Sequence, residues 1–161
     1  MEFSGKKVTV VGTGISGIGA VGLLNAVGAE VVLYDGNEKL KIEDIEKKLG
    51  TYKAEIVLGE LTKELTDSSD LLVISPGVPI DSPVVKAFEA AGVPVWGEVE
   101  LAYAFDKGKV LAITGTNGKT TTTALVGQIV GAYHKDTFVV GNIGNPYTTE
   151  VLKSNKDSYT V

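Results

Sequence analysis

The chain has no cysteine and no arginine, and histidine, tryptophan and methionine occur once each. Without cysteine there is no disulfide scaffold, no thiol nucleophile and no cysteine-ligated zinc or iron–sulfur site. That composition suits a reducing compartment. All 15 basic residues are lysines, set against 20 acidic residues for a net charge of −5. A nucleic-acid binder reads base edges with arginine and shows a basic patch. Neither is present, so no nucleic-acid partner is expected. Apolar runs of the roughly 18 residues needed to cross a bilayer are also missing. The apolar stretch that opens near Lys7 is interrupted by Gly12, Gly14, Gly17 and Gly19 and closes on no small-residue cleavage motif. Neither membrane insertion nor a secretory leader is expected, and a cytoplasmic location is. Glycine is plentiful at 20 residues but follows no three-residue period, and 43% hydrophobic residues over 161 positions suffice for a real core.

What is present is an alternation of short apolar runs and helical segments. Strands are predicted at 7–11, 30–34, 55–58, 71–74 and 93–96. Helices are predicted at 15–27, at 39–49 with Ile42, Ile45 and Leu49 on one face, and after Ser82 with Pro83 at the first helical position. Gly28, Gly50 and Gly92 stand where helices end. This rhythm implies a parallel sheet covered by helices on both faces. A connecting helix at 98–105 and a polar turn at 106–108 then separate a second unit. Its predicted elements are a strand at 109–114, a helix at 119–132, a strand at 137–140, a short helix near 148–152 and a strand opening at 158.

Four loops carry candidate chemistry. Gly12-Thr13-Gly14-Ile15-Ser16-Gly17 matches G-x-G-x-x-G between a strand and a helix, where backbone N–H groups and the helix dipole favour a diphosphate. The same spacing also makes a ligand-free tight turn. Asp35 follows Gly17 by 18 residues, the place where dinucleotide enzymes hold ribose hydroxyls, and also where a turn aspartate precedes Gly36-Asn37. Ser75-Pro76-Gly77-Val78-Pro79 is rigid and lies at the sheet's C-terminal edge. Gly115-Thr116-Asn117-Gly118-Lys119-Thr120-Thr121 opens the second unit's helix in the manner of a phosphate-binding P-loop. The strict P-loop pattern asks for glycine where Ile113 stands. A further turn, Gly141 to Pro146, includes Asn142. His134 in a polar turn reads as solvent-exposed, Trp96 as core, and Glu98 and Glu100 as capping or solvent-facing.

Taken in order, Gly-Thr-Gly-Ile-Ser-Gly, Asp35, Ser-Pro-Gly-Val-Pro, Gly-Glu-Val-Glu-Leu at 97–101, Gly-Thr-Asn-Gly-Lys-Thr-Thr and Gly-Asn-Ile-Gly-Asn-Pro resemble the Mur ligases, over the whole chain. They most resemble the branch that adds D-glutamate to UDP-N-acetylmuramoyl-L-alanine. The resemblance implies an α/β chain in two parts. Residues 1–97 would be a Rossmann-like, UDP-sugar-binding parallel-sheet domain, and 98–161 the incomplete start of a P-loop ATPase α/β domain. It implies ATP and Mg²⁺ as cofactors, with Gly115, Thr116, Asn117, Gly118, Lys119, Thr120 and Thr121 binding ATP. Lys119 and Thr120 would be the catalytic pair, and Thr120 the magnesium ligand. Gly14, Ile15 and Ser16 would meet the diphosphate. Asp35, Gly36 and Asn37 would lie near the uracil, Ser75 and Gly77 along the substrate, and Asn142 near the muramoyl part. The implied reaction is peptidoglycan-precursor synthesis through an acyl phosphate by a monomer, with D-glutamate as second substrate. The isolated chain would be inactive. From the residues alone, an NAD-dependent oxidoreductase and a non-catalytic nucleotide-binding module remain open.

Overall fold

The structure is a computed structural model that describes residues 3–141 and 145–161. Strands β1 (Lys7–Val11), β2 (Glu30–Asp35), β3 (Glu55–Leu58), β4 (Leu71–Ile74) and β5 (Val95–Gly97) form one parallel sheet in the order β3-β2-β1-β4-β5. The order reverses between β1 and β4, which pair from Val8–Leu71 to Val11–Ile74. Central strands with continuous apolar runs are expected where both faces are covered, and β4 is buried at every position.

Alternation along the strands builds two cores. Val8, Val10, Val31, Leu33 and Val73 face α1 (Ile15–Ala26), α2 (Ile42–Leu49) and α5 (Glu98–Tyr103). Val11, Val32, Leu72 and Ile74 face α3 (Lys63–Ser68) and α4 (Pro83–Ala90). Large side chains such as Leu23, Leu33 and Phe88 are fully buried. Each contributes about 1.5–3 kcal/mol by leaving water.

The second unit is smaller. β6 (Lys109–Val110), β7 (Thr137–Phe138) and β8 (Tyr159–Thr160) pair in parallel in the order β6-β8-β7, with α6 (Lys119–Tyr133) between β6 and β7. Helix α7 (Tyr147–Glu150) continues into a 3-10 turn, Val151–Lys153. Tyr147 and Val151 are buried in the same core cluster as α1 and α5. A chain segment that follows the second glycine loop therefore packs against the first sheet's helices.

The sequence expectations hold for the α/β class and for the first sheet, with local corrections. The helix predicted from 39 begins at Ile42, because Asp35 and Asn37 fold residues 35–40 into a side-chain-bonded turn. Helix α3 has no predicted counterpart; its Thr62 hydroxyl caps it by accepting from the Leu65 N–H. Ser82 does stand at the N-cap of α4, but its hydroxyl is buried without a partner among the described residues. The strand predicted at 109–114 ends at Val110, since its neighbour β8 supplies paired residues only at Tyr159 and Thr160. The strand predicted at 137–140 likewise pairs only over Thr137–Phe138.

Candidate functional site

Two glycine loops stand at strand C-termini, each opening a helix. The first leaves β1 at the point where strand order reverses, which is where open α/β sheets bind ligands. Its tightness depends on Gly17, where a Cβ would collide with the Gly12 carbonyl. Gly14 caps α1 without any side-chain hydrogen bond, and Ile15 beside it is 80% exposed. The first N–H groups of a helix lack intrahelical partners, so this end is open to an acceptor. Ser16 is half-buried in the same turn.

Asp35 is placed at this loop, and it is already engaged. The Thr13 N–H and hydroxyl donate to its Oδ2 at 3.2 and 2.9 Å, and the Asn37 N–H donates to its Oδ1 at 3.1 Å. The carboxylate thus ties the end of β2 to the glycine loop. Gly36 and Asn37 follow it, exposed. Thr13 was not among the residues singled out from sequence, because its link to Asp35 spans 22 positions.

Ser75 approaches from β4. Its N–H donates to the Val11 carbonyl at 3.2 Å, and its hydroxyl lies against Gly12 and Gly17. That hydroxyl is buried and has no partner among the described protein atoms. An unmet buried hydroxyl is costly unless a water or ligand satisfies it. Gly77, two residues on, is exposed with open space beside it.

The second loop leaves β6. Gly118 caps α6 at φ +78°, a left-handed conformation that glycine adopts without strain. Lys119 turns back over the loop, where its ammonium donates to the carbonyls of Gly115 and Thr116. Gly115 through Thr121 are all exposed. Asn142 lies outside the described residues.

Helix charges point the same way. Helices α2, α3, α5 and α7 each carry an acidic residue in the first turn, whereas α1, α4 and α6 carry none. Those three open after the first glycine loop, the Ser75–Pro79 loop and the second glycine loop. Leaving acids out of a first turn keeps the positive end of the helix available to an anion.

A groove of about 470 Å³ runs from the first loop toward α7, lined by Thr13, Gly14, Ile15, Lys48, Tyr52 and Thr149 among others. Its α7 wall is held by Glu98, which sequence reading left capping or facing solvent. Glu98 is buried and accepts from the Thr148 hydroxyl at 2.9 Å and from the Thr148 N–H at 3.3 Å. His134 is exposed, as expected, and stacks on Tyr159. Trp96 packs against the core beside Phe3.

Residues 6–97 match the family model described as Mur ligase MurD-like, N-terminal domain. The chain belongs to this family. It is 68% identical over 161 residues to a UDP-N-acetylmuramoylalanine–D-glutamate ligase of Lachnospira eligens, and 56% identical over 162 to one of Lachnoclostridium phytofermentans. All of this chain is covered, but only 36% of either relative. Two solved structures share the fold over 97% of the chain. One is a pseudomurein peptide ligase type C from Methanothermus fervidus, with TM-score 0.54, 24% identity and 32% of that protein covered. The other is a murein peptide ligase from Psychrobacter arcticus, with TM-score 0.55, 19% identity and 37% covered.

Proposed function

We propose that the chain supplies the UDP-sugar site and the ATP loop of a ligase that adds D-glutamate to UDP-N-acetylmuramoyl-L-alanine. The observation that carries this reading is the pairing of two phosphate-type glycine loops in one chain that is 68% identical to such a ligase. In this reading residues 1–97 take the UDP-sugar and 98–161 begin the ATP-binding domain, with α5 and α7 packed on the first core. No helix among the described residues is long and apolar enough to cross a membrane. We also take the working enzyme to be a cytoplasmic monomer.

The roles divide by loop. Gly14, Ile15 and Ser16 present backbone N–H groups to the diphosphate, with Ser75 offering its unmatched hydroxyl nearby. Asp35 shapes the loop through Thr13 and steadies Gly36 and Asn37 beside the uracil. Gly77 leaves room for the sugar, and Asn142 belongs to its muramoyl end. The second loop fits ATP and Mg²⁺: its helix has an open, acid-free N-terminus and its lysine already seeks oxygen ligands within the loop. Gly115 to Thr121 would hold the phosphates, and Thr120 the magnesium. Bound ATP would supply the phosphoryl group that activates the alanyl carboxylate. Lys119 contributes a positive charge on the phosphate oxygens, and positioning of this kind is most of what phosphoryl transfer asks of a protein. An NAD-linked dehydrogenase rests on the first glycine loop with Asp35 and gives the second glycine loop with Lys119 no role.

Calorimetry with UDP-N-acetylmuramoyl-L-alanine, ATP–Mg²⁺ and NAD, each titrated into the chain, tests the reading. Saturable heat with the UDP-sugar and none with NAD is expected. NAD binding without a UDP-sugar response overturns it.

A further inference from the structure

We propose that Lys48, near the end of α2, supplies the cationic charge for the diphosphate at the first glycine loop. The inference rests on reading that loop as a UDP-sugar site, and it deepens that reading by naming a residue no motif contains.

The argument starts from charge. A nucleoside diphosphate brings about two negative charges, while a helix N-terminus offers the equivalent of only about half a positive one. The loop Gly12–Gly17 has no ionisable side chain, and Asp35 at the end of β2 adds a negative charge at Thr13. The chain has no arginine to compensate. A lysine beside the loop offsets part of that negative charge.

Of the lysines, Lys48 is the one that lines the groove containing Gly14 and Ile15. Its placement follows from the pattern of α2. Ile45 and Leu49 are buried, so Lys48 sits on the flank of the buried stripe. The Tyr52 ring lies against Gly22 of α1 and forms part of the groove wall. Lys47, on the same helix, pairs with Asp44 at 3.5 Å, whereas Lys48 makes no ion pair among the described residues. It is exposed on the wall of the groove that Gly14 and Ile15 also line.

The experiment titrates UDP-N-acetylmuramoyl-L-alanine into the unmodified chain and into Lys48→Ala, Lys48→Glu, Lys48→Arg and Lys47→Glu. One exposed charge contact is worth about a fivefold change in affinity in water. Lys48→Ala is therefore expected to weaken binding about fivefold, Lys48→Glu more, and Lys48→Arg little. Lys47→Glu changes net charge equally on the same helix and should have a much smaller effect. The difference between unmodified chain and Lys48→Ala should shrink as KCl rises to about 0.5 M, as screening predicts. Binding that Lys48→Glu leaves within about twofold of the unmodified chain overturns the role of Lys48 and leaves the UDP-sugar site standing. Equal losses from Lys47→Glu and Lys48→Glu also overturn it, since they reduce it to a general field effect. No saturable heat with the unmodified chain removes both this inference and the proposed function.

Discussion

The Tyr147 hydroxyl donates to Asp106 Oδ2 at 2.6 Å, across 41 residues of chain. The same oxygen accepts from the Thr160 hydroxyl at 2.7 Å, and Oδ1 accepts from the Gly108 N–H at 2.8 Å. One carboxylate thus joins the turn after α5, helix α7 and strand β8. Asp106→Ala should lower unfolding stability by about 2–3 kcal/mol, because it strands the buried Tyr147 hydroxyl as well as removing bonds. Urea denaturation measures it, and an unchanged midpoint would refute the hub.

Burial, followed by the hydrogen bond to Asp106, pushes the Tyr147 phenol well above its ordinary value of 10.0. The sign follows from linkage. A phenol harder to ionise when folded contributes stability that is fully present below about pH 10 and is lost as pH rises beyond it. The unmodified chain should therefore lose stability more steeply above pH 10 than Tyr147→Phe does. Parallel alkaline limbs in denaturation series on the two proteins would contradict this.

Gly17 and Gly14 lie in one loop but face different surroundings. A Cβ at Gly17 meets the Gly12 carbonyl, whereas at Gly14 nothing lies within 4 Å. Gly17→Ala should cost about 1–3 kcal/mol through forced backbone movement and abolish the UDP-sugar binding we propose. Gly14→Ala should keep the fold intact. Equal thermal stability of the two variants would show that the loop is not packed as described.

The pattern of α6 suggests a further test. Leu125, Ile129 and Tyr133 recur every four residues and are 55%, 53% and 83% exposed. Such a stripe favours association. Lys substitutions at Leu125 and Ile129 together should raise the soluble, monodisperse fraction in light scattering without altering UDP-sugar affinity. No gain in solubility would sink the claim that this stripe is adhesive.

The first sheet was legible because its strands are short β-branched runs bounded by glycine and polar turns, and β1, β3 and β4 begin and end where that composition changes. Helix α3 was not. Its sequence, Lys-Glu-Leu-Thr-Asp-Ser, buries only Leu65 and Thr66 and carries no apolar stripe. Strands of the second unit were read too long, since hydrogen-bond partners rather than composition set where they end. The glycine loops announced themselves by spacing. The side chains that fix the first loop and the groove's α7 wall did not: Thr13 meets Asp35 and Glu98 meets Thr148 only after the chain has folded over 22 and 50 residues. Lys48 was not legible either: it reaches the groove wall through the packing of α2 beside α1, and no local motif marks it.

Lys119 offers the sharpest test of the second loop. Its ammonium bonds to the carbonyls of Gly115 and Thr116, and its side chain supports no core. Lys119→Ala should therefore leave thermal unfolding unchanged. In the full-length ligase we propose, the same substitution should slow phosphate release in the presence of UDP-N-acetylmuramoyl-L-alanine, D-glutamate, ATP and Mg²⁺. Loss of a positioned cation from phosphoryl transfer costs on the order of 10³-fold or more. Lys119→Arg should rescue poorly, because a broad planar guanidinium does not replace a compact ammonium in a tight loop. UDP-sugar affinity should be unaffected in both variants, since the first loop owes nothing to this residue. Near-normal turnover in Lys119→Ala would remove the phosphate role from the second loop. A matching loss of UDP-sugar binding would mean that the lysine acts through the fold instead.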